Sequence, residues 1–403
     1  MNQKFISLIF ILIFQSLLFA ASPSDFGLNI YNPLILDGSR STGMGGAVVS
    51  LGDSPDDLYY NIASSSLRNK FQKDWFEWDY TFLLANLISK SDIDFRNAKD
   101  VATYNSDDLS YLSVALMAQF GTWSFSLTVS TASITIIEND LNILKLNEQL
   151  TGLNIANEVI KDRLFIGLGV SGPTFELKDQ NENTLVKYDL QEGADPNWRI
   201  GAIYHFKENP LSLGLDVRFN SSGAVNLGTK TAGIELPKEI RHPFTLTLGG
   251  SWKVKYFKNN TSEKSNVTTS ITKKEKKIKK LKRWLFKPEY LLVSADLALV
   301  GKVENAVDVL SFTGSNSIYR SGESRLVQPR IGAEVSFPDW LKIRVGYYFE
   351  GARISGTHGR HHATFNIEAS LFELFGFDIA TAFSMDVAPN FWSIGLGMKV
   401  WNY

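Results

Sequence analysis

The segment Phe76-Glu77-Trp78-Asp79-Tyr80-Thr81-Phe82-Leu83-Leu84 decides how the rest of this chain is read. Large apolar residues hold its even positions, while Glu77, Asp79 and Thr81 hold odd ones. Strand side chains alternate between two faces, so this stretch has one aromatic face and one charged face. The same alternation returns over 112–120, 123–129, 164–170, 198–206, 211–219, 244–254, 291–299, 331–337, 341–349, 365–371, 377–385 and 392–400. A weaker strand is expected around Phe175 and Leu177. A wall with lipid outside and water or a plug inside needs this pattern in every strand. The count is about fourteen, an even number as single-chain bacterial barrels require. Short turns follow Phe120, Val170, Phe206, Phe337 and Leu371, and long polar connections leave the opposite ends. The expected fold is all-β: a transmembrane antiparallel β-barrel with an N-terminal plug in its lumen.

The first residues set the compartment. Met1 to Lys4 are basic, 5–20 are almost wholly apolar, and Ala20-Ala21-Ser22 offers a cleavage site. This reads as a signal peptide over 1–21, since the apolar run falls short of the ~20 residues of a spanning helix. Among 403 residues there is no cysteine, which excludes lipid attachment through a Cys and thiolate metal sites. A net charge of -1 gives no pull toward nucleic acid. The expected location is the bacterial outer membrane, with both termini periplasmic, outer-membrane lipid and the barrel insertion machinery as partners, and a monomeric state. Tyr403 supplies the terminal aromatic residue, although Trp401 and Tyr403 are out of phase with the face from Trp392 to Val400.

Residues 22–74 precede the first strand, and 75–403 form the barrel. The early segment is apolar and rich in glycine, with Gly38, Gly43, Gly45 and Gly46 suited to tight bends and close packing. A plug resting on lumen-facing charges is expected; a periplasmic hairpin is the alternative. Arg40, Gly43, Gly45-Gly46-Ala47, Asp53, Asn61 and Ala63 together resemble the hatch signature of the FadL-like long-chain fatty-acid transporter family. Ile62 stands where that family has proline, and Leu51-Gly52-Asp53 replaces its alanine-rich approach. The resemblance implies passive uptake of long-chain fatty acids or other hydrophobic compounds. It further implies capture among outer loops, a pocket near the mature N-terminus, hatch movement, and sideways exit beside a kinked third strand.

Several residues are set against that scheme. Phe26 and Leu28 form an apolar tip that either enters a ligand pocket or packs the plug to the wall. In the third strand the apolar residues move from odd positions to even ones at Ile134 and Ile136, which implies a bulge within Ser130, Thr131, Ala132 and Ser133. That bulge is the candidate lateral gate, or else an ordinary irregularity. The 138–162 loop carries Leu144, Leu150 and Leu153, read as a greasy capture groove or as a packed lid. Lys273 to Arg283, within an insertion of about 257–289, reads as an amphipathic helix on an anionic leaflet or as a solvated loop.

No site for chemistry emerges. His358, His361 and His362 lack a carboxylate pattern for metal, and no Ser–His–acid set stands out, so no enzyme activity, metal or cofactor is expected. Arg199, Arg218, Lys253, Arg330, Glu334, Lys342, Arg344 and Glu368 are expected to face the lumen. The alternative function is a secretion-system scaffold of similar build that binds exported proteins.

Overall fold

A computed structural model describes residues 26–52, 54–67, 75–85, 104–138, 142–179, 181, 183–188, 196–224, 226–227, 237–255, 288–312, 318–337, 340–374 and 377–402. The expected signal peptide, Asp53, the segment 273–283 and Tyr403 lie outside these residues.

Fourteen strands form the wall: β1 (Phe76–Ala85), β2 (Tyr104–Phe120), β3 (Trp123–Glu138), β4 (Asn142–Ile160), β5 (Leu164–Lys178), β6 (Asn197–His205) and β7 (Leu211–Arg218). They continue as β8 (Thr245–Lys255), β9 (Tyr290–Val300), β10 (Leu326–Phe337), β11 (Leu341–Glu350), β12 (Arg360–Leu374), β13 (Phe377–Ala388) and β14 (Phe391–Asn402). Each pairs antiparallel with the next, and β14 pairs with β1, so the sheet closes without an edge. Closure satisfies every ladder internally, which a bilayer demands. No described helix is long and apolar enough to cross a membrane; that says nothing against crossing by strands.

Two parts of the strand assignment differ from expectation and offset each other in the count. The stretch read as a loop, 138–162, contains β4, paired along its length with β3 and β5. The weak strand near Phe175 is the continuation of 164–170 within β5. The turn expected after Val170 is absent, and the short turn lies at 161–163 instead.

The reason is physical. Along β3, Phe125, Leu127 and Val129 point outward, whereas higher up Ala132 and Ile134 are buried inside. In β4, Leu153 points outward and Leu146 inward; in β5, Leu168 points outward and Phe175 and Leu177 inward. Ile134 pairs with Leu146 and Leu146 with Leu177, so all three strands exchange their apolar face at one height. Between Ser130 and Ser133, β3 is paired on both sides without a register shift, and the expected bulge is absent. The phase change marks a change of surroundings, not a kink in the backbone.

Strands β2 to β5 have 17, 16, 19 and 15 residues, whereas β6 to β11 have 8 to 12. A tilted strand crosses the hydrocarbon with about 9–11 residues. The surplus on β3 to β5 carries Thr131, Ser133, Gln149, Thr174 and Glu176 on its outer face. That sector of the wall therefore rises beyond the lipid belt with polar groups outside and apolar groups inside.

Residues 26–52 and 54–67 are almost entirely buried and pack against the inward faces of the strands. At the end with the long connections, Gly27–Asn29 forms a parallel strand between Glu239–His242 and Ala306–Val307. β14 ends at the other, short-turn end.

Candidate functional site

The candidate site is the lumen, and it has two storeys. The upper one is an apolar cup. Tyr111, Ala132, Ile134, Leu146, Phe175 and Leu177 line it from β2 to β5, and Phe26, Leu28, Ile30 and Leu36 fill it from the luminal segment. Val307, Val309, Leu310, Ile354 and Phe391 close the remaining side. Phe26 packs under the Arg320 guanidinium, 4.7 Å from its ring centre. Burying each such side chain contributes about 1.5–3 kcal/mol, so the apolar cup and the apolar tip stabilise one another.

The tip is fixed by backbone as well as side chains. Gly27 N–H donates to Asn305 O at 2.9 Å, and Ile30 N–H donates to Arg241 O at 3.3 Å. The Asn29 side-chain amide donates to Ser321 Oγ at 3.0 Å, and the Asn29 backbone carbonyl accepts from Arg353 Nη2 at 2.5 Å.

Of the residues expected to hold ligand, Phe26 and Leu28 lie in the cup. Leu150 lies on the inward face of β4, opposite Ser130. Leu153 does not belong with them: it is 59% exposed on the outer wall. It points to lipid because it sits below the height at which the apolar face reverses. Leu144 is within β4, and its side chain lies outside the described residues.

The lower storey is polar. Arg40, on the short helix Ser39–Gly43, places Nη1 2.8 Å from Asp57 Oδ2 and Nε 3.2 Å from Glu334 Oε2 on β10. Arg344 joins Glu334 to Glu368, Lys342 reaches Glu368, and Lys399 lies 2.8 Å from Glu368 and 3.1 Å from Asp56. Tyr290 donates to Glu334 at 2.7 Å and Thr81 to Asp56 at 2.6 Å. Each buried charge here touches an opposite one, the condition for keeping such charges in a low dielectric. Burial opposes ionisation of Asp56, but Lys399, the Thr81 hydroxyl and the Arg40 amide outweigh it and hold the carboxyl below its usual range.

The motif residues meet at this level. Gly45 and Gly46 have φ of +60° and +74°, and a Cβ on Gly45 would lie 2.7 Å from Tyr347 N in β11. A Cβ on Gly43 would lie 2.2 Å from Asn366 Cβ. Asn61 caps the turn Ile62–Ser66 by accepting from Ala63 N–H at 3.0 Å, and its Nδ2 reaches the carbonyls of Val49, Ala202 and Leu215. One amide thus ties the segment to β6 and β7. Sequence reading placed Glu334, Arg344 and Glu368 on the lumen face but missed Asp57 as the partner of Arg40, and missed Lys399. The odd positions Phe391, Ser393, Gly395, Gly397 and Lys399 face inward together, and that alternation was the available signal.

Between the storeys lies Asp37, which accepts from the Tyr111 hydroxyl. Burial pushes its carboxyl up to about 6, against the pull of Arg218 and Arg199. The folded form therefore favours the protonated acid. Its stabilising share is full below about pH 4 and is lost as pH rises through 6. Asp37→Asn should raise the stability of the luminal segment at pH 7 and leave it nearly unchanged at pH 4. Equal effects at both values in thermal protease-resistance assays would contradict this.

On the outer face, Trp78, Leu116, Phe125, Leu127, Leu153, Leu168 and Trp198 line an apolar hollow of about 850 Å³. The wall behind it is thin. A Cβ on Gly167 would lie 2.9 Å from Ala63 N, and one on Gly169 would lie 3.1 Å from Ile62 Cδ1. The Ile62–Ser66 turn thus lies directly behind β5 at this level.

No protein-family model matches the chain. No characterised protein matches it by sequence. Solved structures do match in fold. The toluene transporter TodX of Pseudomonas putida aligns with a TM-score of 0.51 at 14% identity, covering 94% of this chain and 99% of that one. A Pseudomonas aeruginosa FadL homologue gives 0.51 at 10% identity, covering 95% and 99%. The monoaromatic hydrocarbon channel CymD gives 0.52 at 11% identity, covering 90% and 96%. The chain thus has, over at least 90% of its length, the fold of the FadL-type outer-membrane transporters.

Proposed function

We propose that this barrel takes hydrophobic compounds across the bacterial outer membrane without an energy source. The observation that carries the reading is the raised sector of wall formed by β2 to β5, apolar within and polar without. A water-facing rim with a greasy interior is suited to extracting a poorly soluble molecule from outside. The tip Phe26–Ile30 occupies that interior, so a ligand that replaces it restores the buried apolar contacts and offsets the cost of withdrawing it. The residues below are charged and tightly paired, which favours a sideways exit over straight passage. The apolar hollow over Ile62 and Ala63 supports an exit there. Proteins of the same fold are named as transporters or channels for toluene and monoaromatic hydrocarbons, and long-chain fatty acids are the substrates implied by the hatch signature.

The test is binding to the purified, detergent-folded barrel, with oleate and toluene as probes. Leu146→Asp places a charge in the cup wall and should weaken binding of the preferred probe at least tenfold, about 1.4 kcal/mol. Preference between the two probes separates long-chain from single-ring substrates. Absence of saturable binding by either would favour the scaffold alternative.

A further inference from the structure

High in the lumen, beside the point where the luminal segment leaves the cup, His362 of β12 lies between two carboxylates. Its Nδ1 is 2.9 Å from Asp386 Oδ1 on β13, and its Nε2 is 3.0 Å from Glu350 Oε2 on β11. All three side chains are buried, with at most 2% exposed. Arg360 pairs with Glu350. Tyr348 donates to Asp386 Oδ2 at 2.7 Å and stacks on the imidazole with ring centres 4.2 Å apart. The Tyr348 oxygen accepts from the Ile35 amide at 3.5 Å, which connects the cluster to the luminal segment. Phe391 covers the ring from β14. Among the described residues, the charged and titratable groups around this ring are Glu350, Arg360, Asp386 and Tyr348 on the wall. From the luminal segment, Tyr31 lies within electrostatic reach of Glu350.

Hydrogen-bond arithmetic gives the cluster its meaning. A neutral imidazole has one N–H and can donate to one carboxylate only; the imidazolium donates to both. With the ring charged, Arg360 and His362 balance Glu350 and Asp386. With the ring neutral, one buried carboxylate faces a nitrogen lone pair across about 3 Å in a site shielded from water. Asp386 is also the anchor for the Tyr348 hydroxyl, so a loss there is passed to Ile35.

We propose that Glu350, His362 and Asp386 form a proton-operated latch that holds the luminal segment to the wall through Tyr348. The latch is closed with the ring protonated and loosens as the ring loses its proton. The latched form holds the additional proton, so raising the pH favours release. This regulation rests on the reading above that the segment must move for passage, but the latch can be tested without any transported compound.

The chain has no cysteine, so one introduced at Leu36, which is 2% exposed, reports release of the segment by its rate of maleimide labelling. The exposed position Ser324→Cys corrects for thiol ionisation, and an Asp37→Asn background removes the acid next to the label, whose carboxyl burial raises to about 6. Between about pH 5.5 and about 8.5, across the ordinary imidazole range, the corrected rate should rise about tenfold or more. In Asp386→Asn the new amide donates to Nδ1 of a neutral ring, whose Nε2–H still donates to Glu350. That variant should stay slow across the whole range. A flat rate in the folded parent, or an unchanged rise in Asp386→Asn, overturns the proposal. Hydrogen exchange over residues 33–38 gives the same readout should Leu36→Cys fail to fold. Neither measurement uses oleate or toluene, so failure of the uptake reading would be seen separately.

Discussion

Arg40→Ala should leave the fourteen-stranded wall intact and free the luminal segment inside it. The guanidinium reaches Asp57 within the segment and Glu334 on β10 through different nitrogens. Glu334 keeps Arg344 and Tyr290 after the truncation, so most of the cost falls on Asp57 and on the lost bridge between segment and wall. Removing one partner of a buried ion pair costs about 3–5 kcal/mol, because the remaining charge is still desolvated. Limited proteolysis of the folded barrel should then cut within residues 26–67 on the order of a hundredfold faster or more. Retarded gel mobility of the heated form should persist, since the wall ladder is untouched. Arg40→Lys should recover part of the protection: it keeps the charge but offers one nitrogen where the arginine uses three. Cleavage as slow as in the parent would show that Arg40 is not what secures the segment.

Gly346→Val should act on the same contact by steric means, with no change of charge. A Cβ at this position would stand 2.3 Å from Gly45 N and 2.4 Å from Met44 C, both backbone atoms. Neither can turn aside as a side-chain end can. Gly45 is itself held at φ +60°, so the loop has little freedom to retreat. The expected cost is about 3 kcal/mol, at the upper end of ordinary overpacking. The matching control is Gly250→Val on β8, where the nearest atom to a new Cβ would be Leu213 Cδ2 at 3.4 Å. That substitution should change the thermal midpoint little. If both variants resist protease equally, the glycine-to-glycine contact between segment and wall is not a fixed fit.

These two predictions also show what could be read before the structure. Arg40, Gly43, Gly45, Gly46 and Asn61 are recognisable as a motif, and alternation puts Glu334, Arg344 and Glu368 on the inner face. The pairing of Arg40 with Asp57, next to Asp56, follows from how the chain turns between the helix Ser39–Gly43 and Pro55–Tyr59, and no periodicity encodes that turn. β4 was hidden for another reason. Leu146 and Leu150 share the parity of the inner face, whereas Leu153 and Ile155 share that of the outer one. A pattern that reverses halfway looks like no pattern when the strand is assumed to keep one environment throughout. The same assumption turned the reversal in β3 into a bulge and split β5 at Val170. The cup was therefore present in the sequence as three apparent irregularities, intelligible only once the strands are aligned side by side. The parallel strand Gly27–Asn29 had no such trace: three residues carry too little alternation to stand out.

That short strand sets the order of assembly. Its partners, Glu239–His242 and Ala306–Val307, come late in the chain, on connections that follow β7 and β9. The beginning of the described chain, synthesised early, must wait for most of the wall before it has anything to pair with. Contacts so distant along the chain form slowly, because loop closure has to precede any gain from pairing. Until then Phe26, Leu28 and Ile30 are apolar residues without a cover, in a compartment where aggregation competes with insertion. Closing the mouth is thus a late folding event, and a chain halted at the end of β7 would leave its N-terminal strand with neither partner.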